Sequence, residues 1–219
     1  MAEDLRTMAS TDGIAEFERE YETPRCVVLD SAYCSMGRMV ALQACKLAGW
    51  TYHDSVTLLE LVPELGVTPE DVDAFDRQFS GCEPDVAAVR ASSEFQRISQ
   101  AFLLATERAL ADGPCLVHDR ITKPYVEGLG YRCVSAMTYA HDLPAMRVRA
   151  KFSPLYASLE SDDQLDAAIR GEDSIRRAWH ALQSDSTFWG EPRTYDLMLN
   201  TDLLGRDLAA QLLAQLMGA

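Results

Sequence analysis

The sequence predicts an α/β protein in three layers, a parallel five-stranded sheet between helices. Three observations carry that expectation. Short apolar or β-rich runs recur at residues 26–29, 51–53, 115–117, 131–139 and 195–199. Between them lie tracts of helical character, long enough to cross from one parallel strand to the next. Polar residues gather where the runs end, at 30–38, at Asp54, and at Asp119 with Arg120. Ligands bind along that edge of an open α/β sheet.

Taken in order, residues 1–24 are acidic and polar, close on Thr23-Pro24, and read as an arm ahead of the main domain at 25–219. The first strand, 26–29, leads into small and turn-prone residues up to Gly37, then a helix over 38–48 with Gly49 as its C-cap. Asp54 and Ser55 stand at the end of the second strand, before a helical stretch at 56–65. Thr68-Pro69-Glu70-Asp71 combines a hydroxyl cap, a first-turn proline and two acids, a strong helix start. Gly81-Cys82-Glu83-Pro84 breaks that helix, and a long helical tract covers 85–111. His118-Asp119-Arg120 follows the third strand. After the fourth, Asp142-Leu143-Pro144 opens a helix that carries Arg147, Arg149 and Lys151. Residues 158–189 are rich in charge and read as helix, loop and helix lying partly off the core. Leu208, Leu212 and Leu216 mark a final amphipathic helix behind the last strand.

The chain has 219 residues, 34 of them acidic and 20 basic, for a formal charge of −14. Such a surface repels nucleic acid and anionic membranes, so a bound polyphosphate needs a local cluster of arginines. No apolar run is long enough to span a membrane and the first residues lack a signal-peptide core, which points to a cytoplasmic protein. Six scattered cysteines without a C-x-x-C pair read as buried, reduced thiols, with Cys34 in the loop the one of interest.

The stretch from Ser31 to Arg38 is the natural phosphate site, because a helix that follows a strand presents free N–H groups and a positive dipole end. It is not a standard phosphate loop. Against G-x-x-x-x-G-K-[ST], Ser31 and Met36 occupy glycine positions and Gly37 the lysine position, and the hydroxyl for magnesium is missing.

The order YCSMGR, YHD, GPCLVHDR, D-x-x-R-R and YDLMLNTDLLG resembles the cytidylate kinase-like family of P-loop nucleoside monophosphate kinases. That family usually shows Y-G-S-G-G-R, Y-Y-D, V-G-R-G, a lid with D-x-x-R, and Y-D-L-V-I-N-T. The resemblance covers about 25–217. It implies a P-loop kinase fold with a helical lid at about 158–189, ATP with magnesium, and a nucleotide substrate such as CMP. Carried over, Ser35, Gly37 and Arg38 would line the phosphate loop, and Asp54 and Arg120 would approach the acceptor. Asp173, Arg176 and Arg177 would belong to the lid, and Arg38, Arg120 and Arg176 would stabilise the transferred phosphoryl group. Cys34, Met36 and Asp119 stand where the family has glycines. These departures keep a second reading open, a catalytically silent module that binds a nucleotide, a small anion or a protein partner.

Each residue also has a plainer reading. Arg38 reads equally as a phosphate clamp or a solvated first-turn residue, Asp54 as a ligand contact or a helix cap, and Arg120 as ligand-facing or a structural ion pair. Arg176 and Arg177 read as lid residues or as solvated charges, and Trp179 and Trp189 as packing. A His118–Asp119 catalytic pair is rejected, because adjacent strand residues point to opposite faces.

Overall fold

The computed structural model describes residues 21–219; the arm expected at 1–24 lies almost wholly outside them. The sheet has five parallel strands in the order β2-β3-β1-β4-β5, with β1 at Cys26–Ser31, β2 at Thr51–His53, β3 at Cys115–His118, β4 at Cys133–Tyr139 and β5 at Leu197–Asn200. Register aligns Cys26 with both Cys115 and Cys133, so three thiols lie side by side across the amino-terminal edge.

Alternation along β1 divides the core. Val27 and Leu29 face α1 (Gly37–Ala48) and α9 (Thr201–Leu216), whereas Cys26 and Val28 face α2 (Ser55–Leu59), α3 (Pro69–Asp76) and α5 (Ser93–Asp112). Both faces of the sheet are therefore covered, which a parallel sheet of buried strands requires. The predicted three-layer α/β/α fold around a parallel five-stranded sheet is the fold observed. No described helix is long and apolar enough to cross a membrane.

Four local expectations differ from the structure. The stretch at 56–65 is α2 followed by a 3₁₀ turn at Pro63–Leu65, since Pro63 cannot donate to a continuing helix. The tract at 85–111 is two helices, α4 (Val86–Ala91) and α5, because the Ser92 side chain accepts from the Phe95 amide and starts the second. Residues 158–189 contain one helix of 22 residues, α8 (Asp162–Gln183), which is anchored by Trp179, a core residue packed against Phe75, Phe95 and Phe102. All six cysteines are free thiols, but the expected burial fails at Cys82, which is exposed, and at Cys34, which is half-buried. Two further helices complete the chain, α6 (Lys123–Gly128) and α7 (Leu143–Ala150).

Candidate functional site

The loop between β1 and α1 keeps a glycine-like backbone without the glycines. Cys34 and Met36 adopt φ of 65° and 60°, and Asp119 and Arg120, after β3, adopt 59° and 69°. The left-handed region costs an L-residue about 1–2 kcal/mol. Strain of this kind persists only where the surroundings impose it. Here they do. Asp173 accepts from the Tyr33 amide at 2.6 Å, Arg149 donates to the Cys34 carbonyl at 3.0 Å, and the Ser35 hydroxyl meets Thr138 at 2.8 Å. Gly37 is pressed onto the sheet: a Cβ there would lie 2.4 Å from the Ser31 Cβ and 2.8 Å from the Thr138 hydroxyl. The absence of a lysine at this position is thus steric, and no longer side chain fits.

The turn delivers the start of α1 with no side-chain cap at Met36 and no acid in the first turn. Its first amides and dipole end face a cavity of about 540 Å³. Arg38, Arg149 and Arg176 line that cavity together with His118 and Phe152. Each arginine already has a carboxylate partner: Arg38 with Asp54 at 3.3 Å, Arg149 with Asp202 at 3.2 Å, and Arg176 with Asp119 at 3.6 Å and Glu172 at 3.4 Å. Burial pulls the Arg176 pKa down, but Asp119, Glu172 and Asp173 outweigh it and leave it raised, so the guanidinium stays charged. Its Nε has no hydrogen-bond partner.

His118 is buried, with Nε2 2.8 Å from the Ser31 hydroxyl and Nδ1 2.9 Å from the Tyr52 hydroxyl. Burial holds its pKa below the ordinary value, so the ring is neutral near pH 7. Asp119 lies 3.7 Å from Nε2 without a hydrogen bond. The left-handed turn at Asp119 leaves its carboxylate near the ring, so the strand alternation on which the pair is rejected does not hold there, although the two groups share no hydrogen bond. Burial pushes the Cys34 thiol up to about 11 and also raises the Asp173 carboxyl. Cys34 is therefore no nucleophile at neutral pH.

Ser35, Gly37, Arg38, Asp54, Asp173 and Arg176 converge on this edge of the sheet. Two of them act on the chain itself. Asp54 caps α2 in a capping box with Thr57, and Asp173 props the loop backbone. Arg120 also reaches the edge, but its guanidinium is bound to Asp76 at 3.0 and 2.5 Å and lies 4.9 Å from the Trp179 ring. Asp119, the neighbour of Arg120 in the chain, pairs with Arg176. Arg177 turns away and stacks on Trp189 at 5.5 Å, lining a different cavity. Arg149 is the residue that sequence reasoning left unassigned; the cluster of Arg147, Arg149 and Lys151 after β4 was its signal.

A second, smaller cavity of about 60 Å³ opens beside the first, and Arg176 lines both. Among the described residues no cluster of three acidic, histidine or cysteine side chains is arranged to hold a metal. Magnesium in phosphotransfer sites uses one or two carboxylates plus the phosphates themselves.

No family model matches the sequence, and no curated protein matches it. Among solved structures, an uncharacterized protein from Eubacterium ventriosum ATCC 27560 superposes with a TM-score of 0.63 at 13% identity, over 89% of this chain and 98% of that one. A shikimate kinase from Bacteroides thetaiotaomicron gives a TM-score of 0.47 at 11% identity, over 87% and 94% of the two chains. A gluconokinase from Sinorhizobium meliloti 1021 gives 0.47 at 14%, over 90% and 95%. The first likeness establishes a shared fold.

Proposed function

We propose that this chain is a phosphotransferase that moves the γ-phosphoryl group of ATP to a hydroxyl acceptor. The observation that carries the reading is the Cys34–Met36 turn, strained into the backbone that glycines give such loops and held there by Asp173, Arg149 and Thr138. A left-handed turn running into an uncapped helix start turns amides toward one point, a nest for phosphate oxygens.

In this reading the first amides of α1 bind the β-phosphate, and Arg38 and Arg149 exchange carboxylate partners for phosphate oxygens. Arg176, between the two cavities, stabilises charge on the transferred group. Magnesium, when bound with the triphosphate, neutralises the β- and γ-oxygens. Asp119 is the carboxylate suited to share it, since its side chain accepts one long hydrogen bond, 3.3 Å from the Ser31 amide, with Arg176 at 3.6 Å and His118 at 3.7 Å. Arg120 acts as a structural support, not as a ligand for the acceptor. CMP is the acceptor that the sequence resemblance implies.

Calorimetric titration with ATP, with and without magnesium, tests the reading. Micromolar, magnesium-enhanced binding that is lost in Arg149→Ala supports it. One observation favours the second reading, a silent binding module: every arginine on the cavity is already paired with a carboxylate. Binding without magnesium enhancement and without turnover of any acceptor would support that module.

A further inference from the structure

The small cavity has two features that packing does not explain. Thr122, 3% exposed, lines it with a hydroxyl that has no hydrogen-bond partner, and Arg176 lines it with an Nε that makes no hydrogen bond, its carboxylate partner Asp119 standing off at 3.6 Å. Buried polar groups are nearly always hydrogen-bonded, so an orphan hydroxyl and a guanidinium N–H without a hydrogen bond on one cavity indicate a missing polar occupant. The volume of about 60 Å³ holds roughly four to six water-sized groups. Trp179 fixes the α8 wall in the core, so the cavity does not widen by moving that helix.

Charge narrows the occupant further. Asp30, Asp76, Asp119 and Glu172 line the cavity against Arg120 and Arg176, and Asp76 already claims Arg120. The excess is negative, which opposes a phosphate monoester and suits a neutral or cationic molecule.

Asp30, at the end of β1, supplies the chemistry. Its Oδ2 accepts from the Tyr195 hydroxyl at 2.6 Å and from the His180 ring at 3.0 Å, while His180 Nε2 lies 2.8 Å from the Thr187 hydroxyl. Both contacts fall on Oδ2, which leaves Oδ1 for an acceptor hydroxyl. His180 and Tyr195 are positioning residues.

We infer that this cavity is the acceptor site, and that it takes a small non-anionic alcohol, a polyol or an amino alcohol, in place of a nucleoside monophosphate. The inference rests on the phosphotransfer reading. The acceptor oxygen bonds to the γ-phosphorus of ATP, its proton passes to Asp30, and the bond from that phosphorus to the β,γ-bridging oxygen breaks, releasing ADP. Thr122 and Arg176 hold the acceptor's other polar groups.

The test measures ADP release by the full chain with magnesium and ATP, alone or with glycerol, ethanolamine or CMP. Glycerol or ethanolamine should raise the rate about tenfold or more, and CMP should not, since anion and bulk are both excluded. Asp30→Asn should lower kcat about a hundredfold with ATP affinity unchanged, as expected for loss of a general base. Thr122→Val should raise the acceptor KM about tenfold at constant kcat. Stimulation by CMP alone, or by no acceptor while ATP binds, overturns the acceptor assignment and leaves nucleotide binding intact. Failure of ATP to bind in calorimetry removes the phosphotransfer reading itself, and the assignment with it. The native protein's acceptor panel decides the matter even if Asp30→Asn does not fold.

Discussion

Arg120→Gln separates a structural arginine from a ligand-facing one. The Arg120 and Asp76 side chains are only 15% and 10% exposed, joined by two hydrogen bonds, and Asp76 also accepts from the Trp179 indole at 2.5 Å. Removing one partner of a buried pair costs about 3–5 kcal/mol, and the residual exposure argues for the lower end. Loss of the guanidinium–indole stack adds about 1 kcal/mol. The expected destabilisation is therefore about 4 kcal/mol, or roughly 8–16 °C in Tm for a domain of this size. Urea unfolding followed by tryptophan fluorescence reads it directly. The double variant Asp76→Asn/Arg120→Gln should lose at least about 1 kcal/mol less than the sum of the single variants. A loss below about 1 kcal/mol, accompanied by a raised acceptor KM, would refute the reasoning and return Arg120 to the ligand.

Three other outcomes follow from the same geometry. Gly37→Ala forces a Cβ into Ser31 and Thr138, so it should destabilise by about 1–2 kcal/mol after the gain in helix propensity, and weaken ATP binding in calorimetry. Cys34→Gly/Met36→Gly relieves left-handed strain but adds unfolded-state entropy, so stability should stay within about 1 kcal/mol by thermal melting and ATP affinity should persist; a fall beyond about 2 kcal/mol would contradict the strain account. His118 has a folded pKa held below its ordinary 6.5 by burial, so the unfolded chain binds the extra proton and stability falls as pH drops below that value. His53 titrates in the same sense, also through burial. His118→Gln should therefore flatten, without abolishing, the fall in urea midpoint between about pH 7.5 and 5.5.

Much of this was legible in the chain. The apolar runs at 26–29, 115–117 and 131–139 fixed the central strands because buried parallel strands need continuous hydrophobicity. Polar residues following those runs come together along one edge of the sheet. What was not legible depends on distant partners. Asp76 is 44 residues from Arg120, and Arg149, which donates to the loop, also pairs with Asp202 on α9. The break at Ser92 came from a single cap, which a helical pattern on both sides conceals. Residues 158–189 looked like a surface tract because charges dominate them, yet Leu165, Ile169, Trp179 and Leu182 form a buried stripe along α8. Cys34 and Met36 read as losses of glycine, whereas the surrounding contacts impose the glycine-like backbone on them.

The central claim is that the strained turn and the first amides of α1 hold a polyphosphate. Amide spectra of the nitrogen-labelled protein, recorded while titrating magnesium ATP and then inorganic triphosphate, test it most directly. The account predicts that both ligands shift the amides of Ser35, Gly37, Arg38 and Met39 and the side-chain Nε–H of Arg149 and Arg176. Shifts confined to other residues, or none with either ligand at millimolar concentration, would contradict it.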